Sequence, residues 1–316
     1  MADERVAKPI VVAVCVATCQ RPKGLEELLL ALNRLQFEKV RTVEITIIVV
    51  DNDDSASAQT VCDRVVQQRF RFELVYAVER RRGISYARNR ALELAASADF
   101  VAFIDDDEIP SAEWLDELLT VQQLYNADVV CGPVLPRFSH PVSDWMIQGR
   151  FFERPRFTTG TQLTEGRTGN VLMRQNVVET VGRFEESLAL TGGEDHDFFQ
   201  RTLSSGFQIY WSDQACVSES LPQSRTTPAW LLRRGFRLGN NAVWFERRNR
   251  RNSRQYAVSI ARAWWQLTSG IGFAPFAILR GRHTAFHQLW RAAFGAGRLA
   301  AESGIRFREY ETIHGR

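Results

Sequence analysis

Lysine is almost missing from this chain. Only Lys8, Lys23 and Lys39 occur, so arginine carries nearly all of the positive charge. Codon bias accounts for that as readily as function does, although arginine's planar fork suits phosphates and anionic lipid surfaces. The net charge of +3 names no partner, and nucleic acid is not expected to be one. The five cysteines (Cys15, Cys19, Cys62, Cys131 and Cys216) contain no CxxC pair, which argues against zinc and fits a reducing compartment. The opening MADERVAK is charged and does not read as a secretory signal. No run of about 18 apolar residues exists to cross a membrane. The nearest, Tyr256 to Leu279, is interrupted by Arg262, Gln266 and Pro275. Internal repeats and low-complexity segments are absent. So is a G-x-G-x-x-G after the first apolar run, which excludes a dinucleotide-binding dehydrogenase.

What is present reads as a folded α/β protein. Hydrophobic residues make up 45% and charged ones 24% of 316 residues, enough to bury a core in one large domain or two ordinary ones. IVVAVCVAT (Ile10 to Thr18) is a continuous β-branched run, and Pro22-Lys23-Gly24 then opens a helical pattern. VEITIIVVD, FELVYAV and FVAFI are predicted as further strands, each followed by a segment of helical spacing. ADVVCGPV is predicted as a fifth strand. Near-continuous apolar strands alternating with helices predict a mostly parallel sheet covered on both faces. Ligands of such sheets bind at the carboxyl ends of the strands, where Asp51 and Asp105 fall. Pro136 to Gly169 is irregular. NVLMRQNVVETVG then gives a strand and a short helix, TGGEDHDFFQRTLSSGF a glycine-bounded helix, and QIYWSDQACVSES a strand pair. Arg- and Trp-rich helices follow a boundary between Pro222 and Pro228. This divides the chain into a catalytic-type domain, 1–225, and a helical region, 226–316.

Two groups of acids demand an explanation. Asp105, Asp106, Asp107 and Glu108 follow directly on an apolar strand, where like charges repel unless a positive group joins them. Alternate residues at a strand end point the same way, so Asp105 and Asp107 can converge on one cation. Oxygen donors of this kind favour Mg²⁺ or Mn²⁺ shared with phosphates. The plainer explanation is that Asp107 and Glu108 decorate the start of the next helix, with Ser111 and Glu113 as its caps. The second group, Glu194, Asp195 and Asp197, follows Gly192-Gly193 at a helix start. Helix-dipole decoration explains it; so does a mobile loop bearing a general base.

Taken in order, VATCQRP, VVDNDD, RRGISYARNRALELA, FIDDDEIPSAEWL, GNVLMRQNVVETVGRFEES and GGEDHDFFQR resemble the family-2 inverting glycosyltransferases of GT-A fold. The resemblance covers about the first 225 residues. The TGGEDHDFF version with ARN upstream looks most like rhizobial succinoglycan-type exopolysaccharide glucosyltransferases. That resemblance implies a GT-A fold, a Rossmann-like sheet with helices on both faces, and residue roles. Thr18 and Arg21 would lie along the base and ribose of a nucleotide-sugar donor, and Asp51 would accept a hydrogen bond from the base, most often uracil. Arg88 would approach the diphosphate or the base, Asp105 the ribose or the metal's water shell, and Asp107 the metal itself; Asp106 belongs to the same donor-binding set. Asp195 would be the general base, with Glu194 orienting acceptor or loop. Asn170 would line the donor-sugar pocket, and Arg234 or Arg237 would reach the diphosphate. His196 and Asp197 are read as helix-turn residues.

Processive members carry Gln-x-x-Arg-Trp beyond the base. Here the region reads WLLRRGFRLGNN, which favours addition of a single sugar. A sugar nucleotidyltransferase is disfavoured because VATCQRPKG lacks the glycine-rich phosphate loop of those enzymes, and a non-catalytic nucleotide-sugar-binding protein because both acid sets are complete. The expected acceptor is a saccharide on a polyprenyl diphosphate. The expected location is cytoplasmic, peripheral on the inner face of the plasma membrane, with Trp230 to Leu299 touching anionic lipid.

Overall fold

The computed structural model describes residues 8–249 and 252–309. The first residues of MADERVAK and the last of the helical region, 310–316, lie outside them, as do 250 and 251. The strands are β1 (Ile10–Thr18), β2 (Val43–Asp51), β3 (Glu73–Val78), β4 (Phe100–Ile104), β5 (Glu108–Pro110), β6 (Val129–Cys131), β7 (Val134–Phe138), β8 (Gln162–Leu163), β9 (Asn170–Arg174), β10 (Ile209–Trp211) and β11 (Val217–Leu221). The helices are α1 (Pro22–Leu32), α2 (Gln59–Gln67), α3 (Ile84–Leu94), α4 (Trp114–Tyr125), α5 (Asp144–Gln148), α6 (Gln175–Val181), α7 (Glu194–Ser204), α8 (Pro228–Asn249), α9 (Ser253–Ala277) and α10 (Arg282–Glu302).

The main sheet has the order β3-β2-β1-β4-β9-β6-β10-β8. Its strands β3, β2, β1 and β4 are mutually parallel, and Thr18 lies opposite Asp51. Strand β1 shows why its sequence is apolar throughout. Val12, Val14 and Val16 enter one core with Leu25, Leu28, Leu29 and Leu32 of α1, while Ala13 and Cys15 enter another with Ala87 and Ala91 of α3. Those four leucines recur at helical spacing, and Pro22 starts the helix with its backbone angle already set. Each such side chain, fully buried, contributes about 1.5–3 kcal/mol.

Away from β1 the sheet is mixed. Strand β9 runs antiparallel to both β4 and β6, and β8 antiparallel to β10. The predicted fifth strand divides at Gly132-Pro133: β6 stays in the main sheet and β7 joins a second sheet of order β5-β11-β7. Gly132 is required there, because a Cβ would come within 2.3 Å of the Ala215 carbonyl oxygen. The predicted pairing within QIYWSDQACVSES does not form; β10 pairs with β6 and β8, and β11 with β5 and β7. Glu108 opens β5 rather than a helix, and α4 starts only at Trp114, with no side-chain cap from Glu113.

Beyond Pro228, α10 packs on both α8 and α9. Close approach of α8 and α10 depends on Gly239 and Gly297, whose missing side chains leave room for the Phe294 and Phe236 carbonyls. Buried Arg298 ties the three helices together. It binds Glu246 of α8 through two bonds of 2.8 and 2.7 Å, and Ser259 of α9 at 2.9 Å. No helix among the described residues is long and apolar enough to cross a membrane.

Candidate active site

The carboxyl ends of β1 and β4 lie side by side and open into a cleft of about 760 Å³. Thr18 donates its hydroxyl hydrogen to Asp106 Oδ2 at 2.8 Å, and Arg21 donates to Asp106 Oδ1 at 2.8 Å and Asp107 Oδ2 at 3.0 Å. A second arginine, Arg225 from just before α8, reaches Asp107 at 3.2 Å. Asp106 is buried, and burial pushes its pKa up to about 6; Arg21 pulls it down and Asp107 pushes it up again. The three aspartates therefore differ in kind. Asp106 is anchored inward, whereas Asp105 and Asp107 keep part of their surface in the cleft.

At the opposite wall the chain turns through Gly192 (φ 76°) and Gly193 (φ 94°), both left-handed, before α7 begins. Glu194 is buried and Asp195 half-buried, so the turn divides the pair into an inner and an outer carboxylate. Asp195 accepts the backbone N–H of His196 at 2.7 Å through Oδ1. Glu194 accepts a bond from Arg88 Nη1 through Oε1, while its Oε2 is buried without a partner. Burial raises Glu194 to about 7, with Arg88 opposing and Asp195 adding to the rise. Arg88 also donates through Nη2 to Asp105 Oδ1 at 3.2 Å. One buried guanidinium on α3 thus joins the two acid groups.

The roof of the cleft comes from α8. Trp230, Arg234, Arg237, Asn241 and Phe245 all line it. Phe245 packs edge-on against His196 and fills the space beside Gly193, where a Cβ would lie 3.1 Å from its ring. Asp197 is a buried helix residue paired with Arg201 at 2.9 Å.

Of the residues singled out from sequence, Thr18, Arg21, Arg88, Asp105, Asp106, Asp107, Glu194, Asp195 and Arg237 meet at this cleft. Asp51 and Asn170 do not line it, which corrects where their side chains were expected. Asp51 is fully buried beneath the cleft and accepts the Ala58 N–H at 2.7 Å and the Tyr76 hydroxyl at 3.0 Å. Burial raises its pKa despite those bonds. Asn170 is consumed by the junction of the two sheets: it accepts from Trp114 at 2.8 Å and donates to the carbonyls of Pro133 and Ala215 at 3.0 and 2.7 Å.

Residues the sequence reasoning missed include Asn52, Arg154, Arg225 and the α8 roof residues Trp230, Asn241 and Phe245. Asn52 was adjacent to the residue chosen. It shapes the rim by bonding the backbone at Glu79, Arg81 and Gly83. Arg154 pairs with Glu219 at 2.7 Å and lay in the segment read only as irregular. Glu108 was noticed only as one acid of four. It is buried behind Asp105, and its Oε2 accepts the Asp105 N–H at 3.0 Å; burial raises its pKa well above the usual range.

Asp105 and Asp107 present hard carboxylate oxygens to the cleft, a donor set that fits Mg²⁺ or Mn²⁺. No group of three or more His, Cys, Asp or Glu side chains among the described residues is arranged to hold a metal alone. Water or phosphate oxygens would have to complete the shell.

Comparison with known proteins agrees with this geometry. The family model described as "Glycosyl transferase family 2" matches residues 13–182. The "Succinoglycan biosynthesis protein ExoM" of Rhizobium meliloti (strain 1021) is 31% identical over 297 residues, 92% of this chain and 92% of that protein. A "Glucosyl-dolichyl phosphate glucuronosyltransferase" of Haloferax volcanii is 24% identical over 71% of this chain and 73% of its own. Among solved structures, S. aureus TarS 1-349 in complex with UDP-GlcNAc superimposes with a TM-score of 0.53 at 18% identity, covering 95% of this chain and 93% of that one. The mannosyltransferase PcManGT from Pyrobaculum calidifontis, in complex with GDP-Man and Mn²⁺, gives 0.58 at 18% identity over 97% and 78%. At such identities the two structures speak to the fold alone.

Proposed function

The chain belongs to glycosyl transferase family 2, and on that premise we propose that it adds one sugar, with inversion, from a UDP-hexose type of donor to a lipid-linked saccharide. The acceptor would carry a polyprenyl diphosphate, and the setting would be exopolysaccharide or surface-polysaccharide synthesis. The likeness to ExoM supports that setting, and the UDP-GlcNAc and GDP-Man in the names of the structural neighbours support a nucleotide-sugar donor. One observation carries the reading: the Asp105–Asp107 strip and the Glu194–Asp195 turn face each other across one cleft, tied by Arg88.

In this reading Asp105 and Asp107 would hold a divalent cation, which when bound would supply Lewis-acid stabilisation of the departing nucleoside diphosphate. Arg21 and Arg225 already neutralise Asp107 and stand where further negative charge would arrive. Asp195, the outer carboxylate of the pair, takes the proton from the attacking acceptor hydroxyl. Glu194 does not reach for substrate; held by Arg88, it fixes the first turn of α7 and hence the position of Asp195. Phe245 and α8 close the roof and exclude water from the reacting carbon. WLLRRGFRLGNN contributes this roof without a Gln-x-x-Arg-Trp, in keeping with transfer of a single sugar.

The location proposed is the cytoplasmic membrane face. Of the five indoles in the helical region, Trp230 lines the cleft, and Trp244 and Trp290 pack inward on Phe245 and Phe294. Trp264 and Trp265 of α9 are 53% and 60% exposed, and Phe276 and Leu279 at the end of that helix are 71% and 87% exposed. Exposed Arg280 and Arg282 flank this apolar tip. Indoles at headgroup depth beside arginines are the chemistry of a surface-bound helix, and each basic residue near anionic lipid contributes about 1 kcal/mol.

A donor screen tests the function directly. Purified protein with Mg²⁺ or Mn²⁺ is offered UDP- and GDP-hexoses, and release of nucleoside diphosphate is followed with and without a membrane extract as acceptor source. Acceptor-stimulated release from a UDP-hexose is expected. Absence of turnover and of binding for every nucleotide sugar would refute the proposal.

A further inference from the structure

The arginines of the cleft are not all matched by acids. On the strand side, Arg21 and Arg225 pair with Asp107, Arg88 with Asp105 and Glu194, and Arg154 with Glu219. On the α8 side the balance changes. Arg234 pairs with no carboxylate among the described residues; it donates to the Phe151 carbonyl at 3.3 Å and lies over the Trp230 ring at 5.5 Å. Its pKa is depressed to about 10, first by burial and then by the neighbouring charges of Arg237 and Arg154. Arg237, one helical turn away, has a buried Nε with no partner, while its Nη1 pairs with Glu309 at 2.6 Å.

Glu309 belongs to the segment after α10, which is tied down by Asn240. That side chain accepts the Phe307 N–H at 3.0 Å and donates to the Ile305 carbonyl at 2.8 Å, and Phe307 packs edge-on against Phe236. Among the described residues, the chain thus lays Glu309 into the cleft against Arg237. Among those residues, Arg234 is left without a carboxylate and the Arg237 Nε without a partner. A phosphate, with more charge and three acceptor oxygens, would satisfy both forks.

We propose that Arg234 and Arg237 form a second phosphate subsite, on the α8 wall, that takes the phosphate of the acceptor while Glu309 holds its place beforehand. The proposal rests on the glycosyltransferase reading above and names the acceptor's recognition element within it. Two features assign the subsite to acceptor rather than donor. The strand side already provides arginines and carboxylates for a metal-bound diphosphate. Helix α8 packs on α10, which packs on α9 and its exposed apolar tip, so the α8 wall belongs to the part of the chain proposed to face the lipid.

The test is isothermal titration of the full-length protein, saturated with UDP and Mg²⁺, with geranyl phosphate as probe and geraniol and inorganic phosphate as controls. Geranyl phosphate should bind without displacing UDP, and geraniol should not bind. Arg234→Gln should weaken the probe by about tenfold to a hundredfold, the factor for losing one charge-assisted hydrogen bond, and leave UDP affinity unchanged. Glu309→Gln should tighten it, because the competing carboxylate is gone. Inorganic phosphate binding as well as geranyl phosphate would support a subsite that reads phosphate alone; weaker binding would support one that also reads the lipid. Competition between probe and UDP, with Arg234→Gln weakening both equally, would overturn the proposal by giving the pair to the donor. No saturable binding would overturn it too. If Arg234→Gln does not fold, Glu309→Gln decides, and an unchanged probe affinity there counts against the subsite. Failure of the wild type to bind UDP would strike the donor reading instead, and the geranyl phosphate isotherm would still settle the subsite.

Discussion

Replacing Arg88 by methionine removes the one cation that joins the two acid groups, while keeping most of the side-chain volume. The Asp105 arm of the bridge is 40% exposed on the acid's side, and such a contact is worth about 1 kcal/mol or less. The Glu194 arm is different, because both side chains are nearly inaccessible to water. Stranding one member of a buried pair costs about 3–5 kcal/mol, so Arg88→Met should destabilise by roughly that much when Glu194 is ionised. Glu194 has an escape: it can take up a proton. Its pKa stands at about 7, against an ordinary 4.5, even with Arg88 present, and loss of Arg88 raises it further. A carboxylate whose folded pKa is raised has its full stabilising contribution below the unfolded value and loses it as pH climbs through the folded one. Raising that folded value extends the loss to higher pH, by up to about 1.4 kcal/mol per pH unit. The penalty of Arg88→Met should therefore be smallest near about pH 5 and largest near about pH 8. Urea unfolding of wild type and variant at both pH values measures it, and Arg88→Met with Glu194→Gln should recover most of the loss. A penalty independent of pH would show that Arg88 acts by packing on Phe184, 5.8 Å from its ring, rather than by charge.

Further outcomes can be checked on the same protein. Asp107→Asn should abolish most transfer while the fold melts normally, since Asp107 touches only arginines at the cleft; full activity in EDTA-treated enzyme without added metal would remove the cation from the reading. Asp195→Asn should lower turnover by about 10²–10⁴-fold with little change in donor KM. A larger loss for Glu194→Gln than for Asp195→Asn would exchange their roles. Co-sedimentation with anionic liposomes should occur, weaken with salt, and fall sharply when Trp264 and Trp265 are changed to serine; a full-length protein that never sediments would sink the membrane proposal.

The strands β1, β2 and β4 could be read from sequence almost to the residue, because a strand buried on both faces is a near-continuous apolar run, ended in β4 by the first charge, Asp105. The same logic failed at Val129 to Phe138, where the apolar run continues but Gly132-Pro133 passes it from one sheet to another. Pairing partners are a three-dimensional property, and β10 and β11 look like a hairpin only because they are neighbours in sequence. The acids of the cleft were legible because their clustering is local. Arg21 and Arg88 were named only through the family resemblance, and the ion pairs of the cleft were not legible: Arg88 lies 106 positions from Glu194, and Arg225 lies 118 from Asp107. Asp51 and Asn170 sit deeper than the other predicted residues. Each occupies a strand end, as a ligand-binding residue would, and each bonds backbone and aromatic neighbours that no spacing rule reveals, while the Asp51 Oδ1 keeps no partner among the described residues.

The roof supplied by α8 has a consequence for how such a protein could diversify. The boundary between Pro222 and Pro228 divides the chain by composition but also cuts across its cleft, since Trp230, Arg234, Arg237, Asn241 and Phe245 lie beyond it. A recombination event joining a relative's helices at that point would import the roof of the cleft in one step. The carboxylates after β4 and at the start of α7 would stay behind. Inheritance of the reacting groups and inheritance of this roof are thereby separable in the gene. A lineage could retain its chemistry and exchange the surroundings in which an acceptor is received.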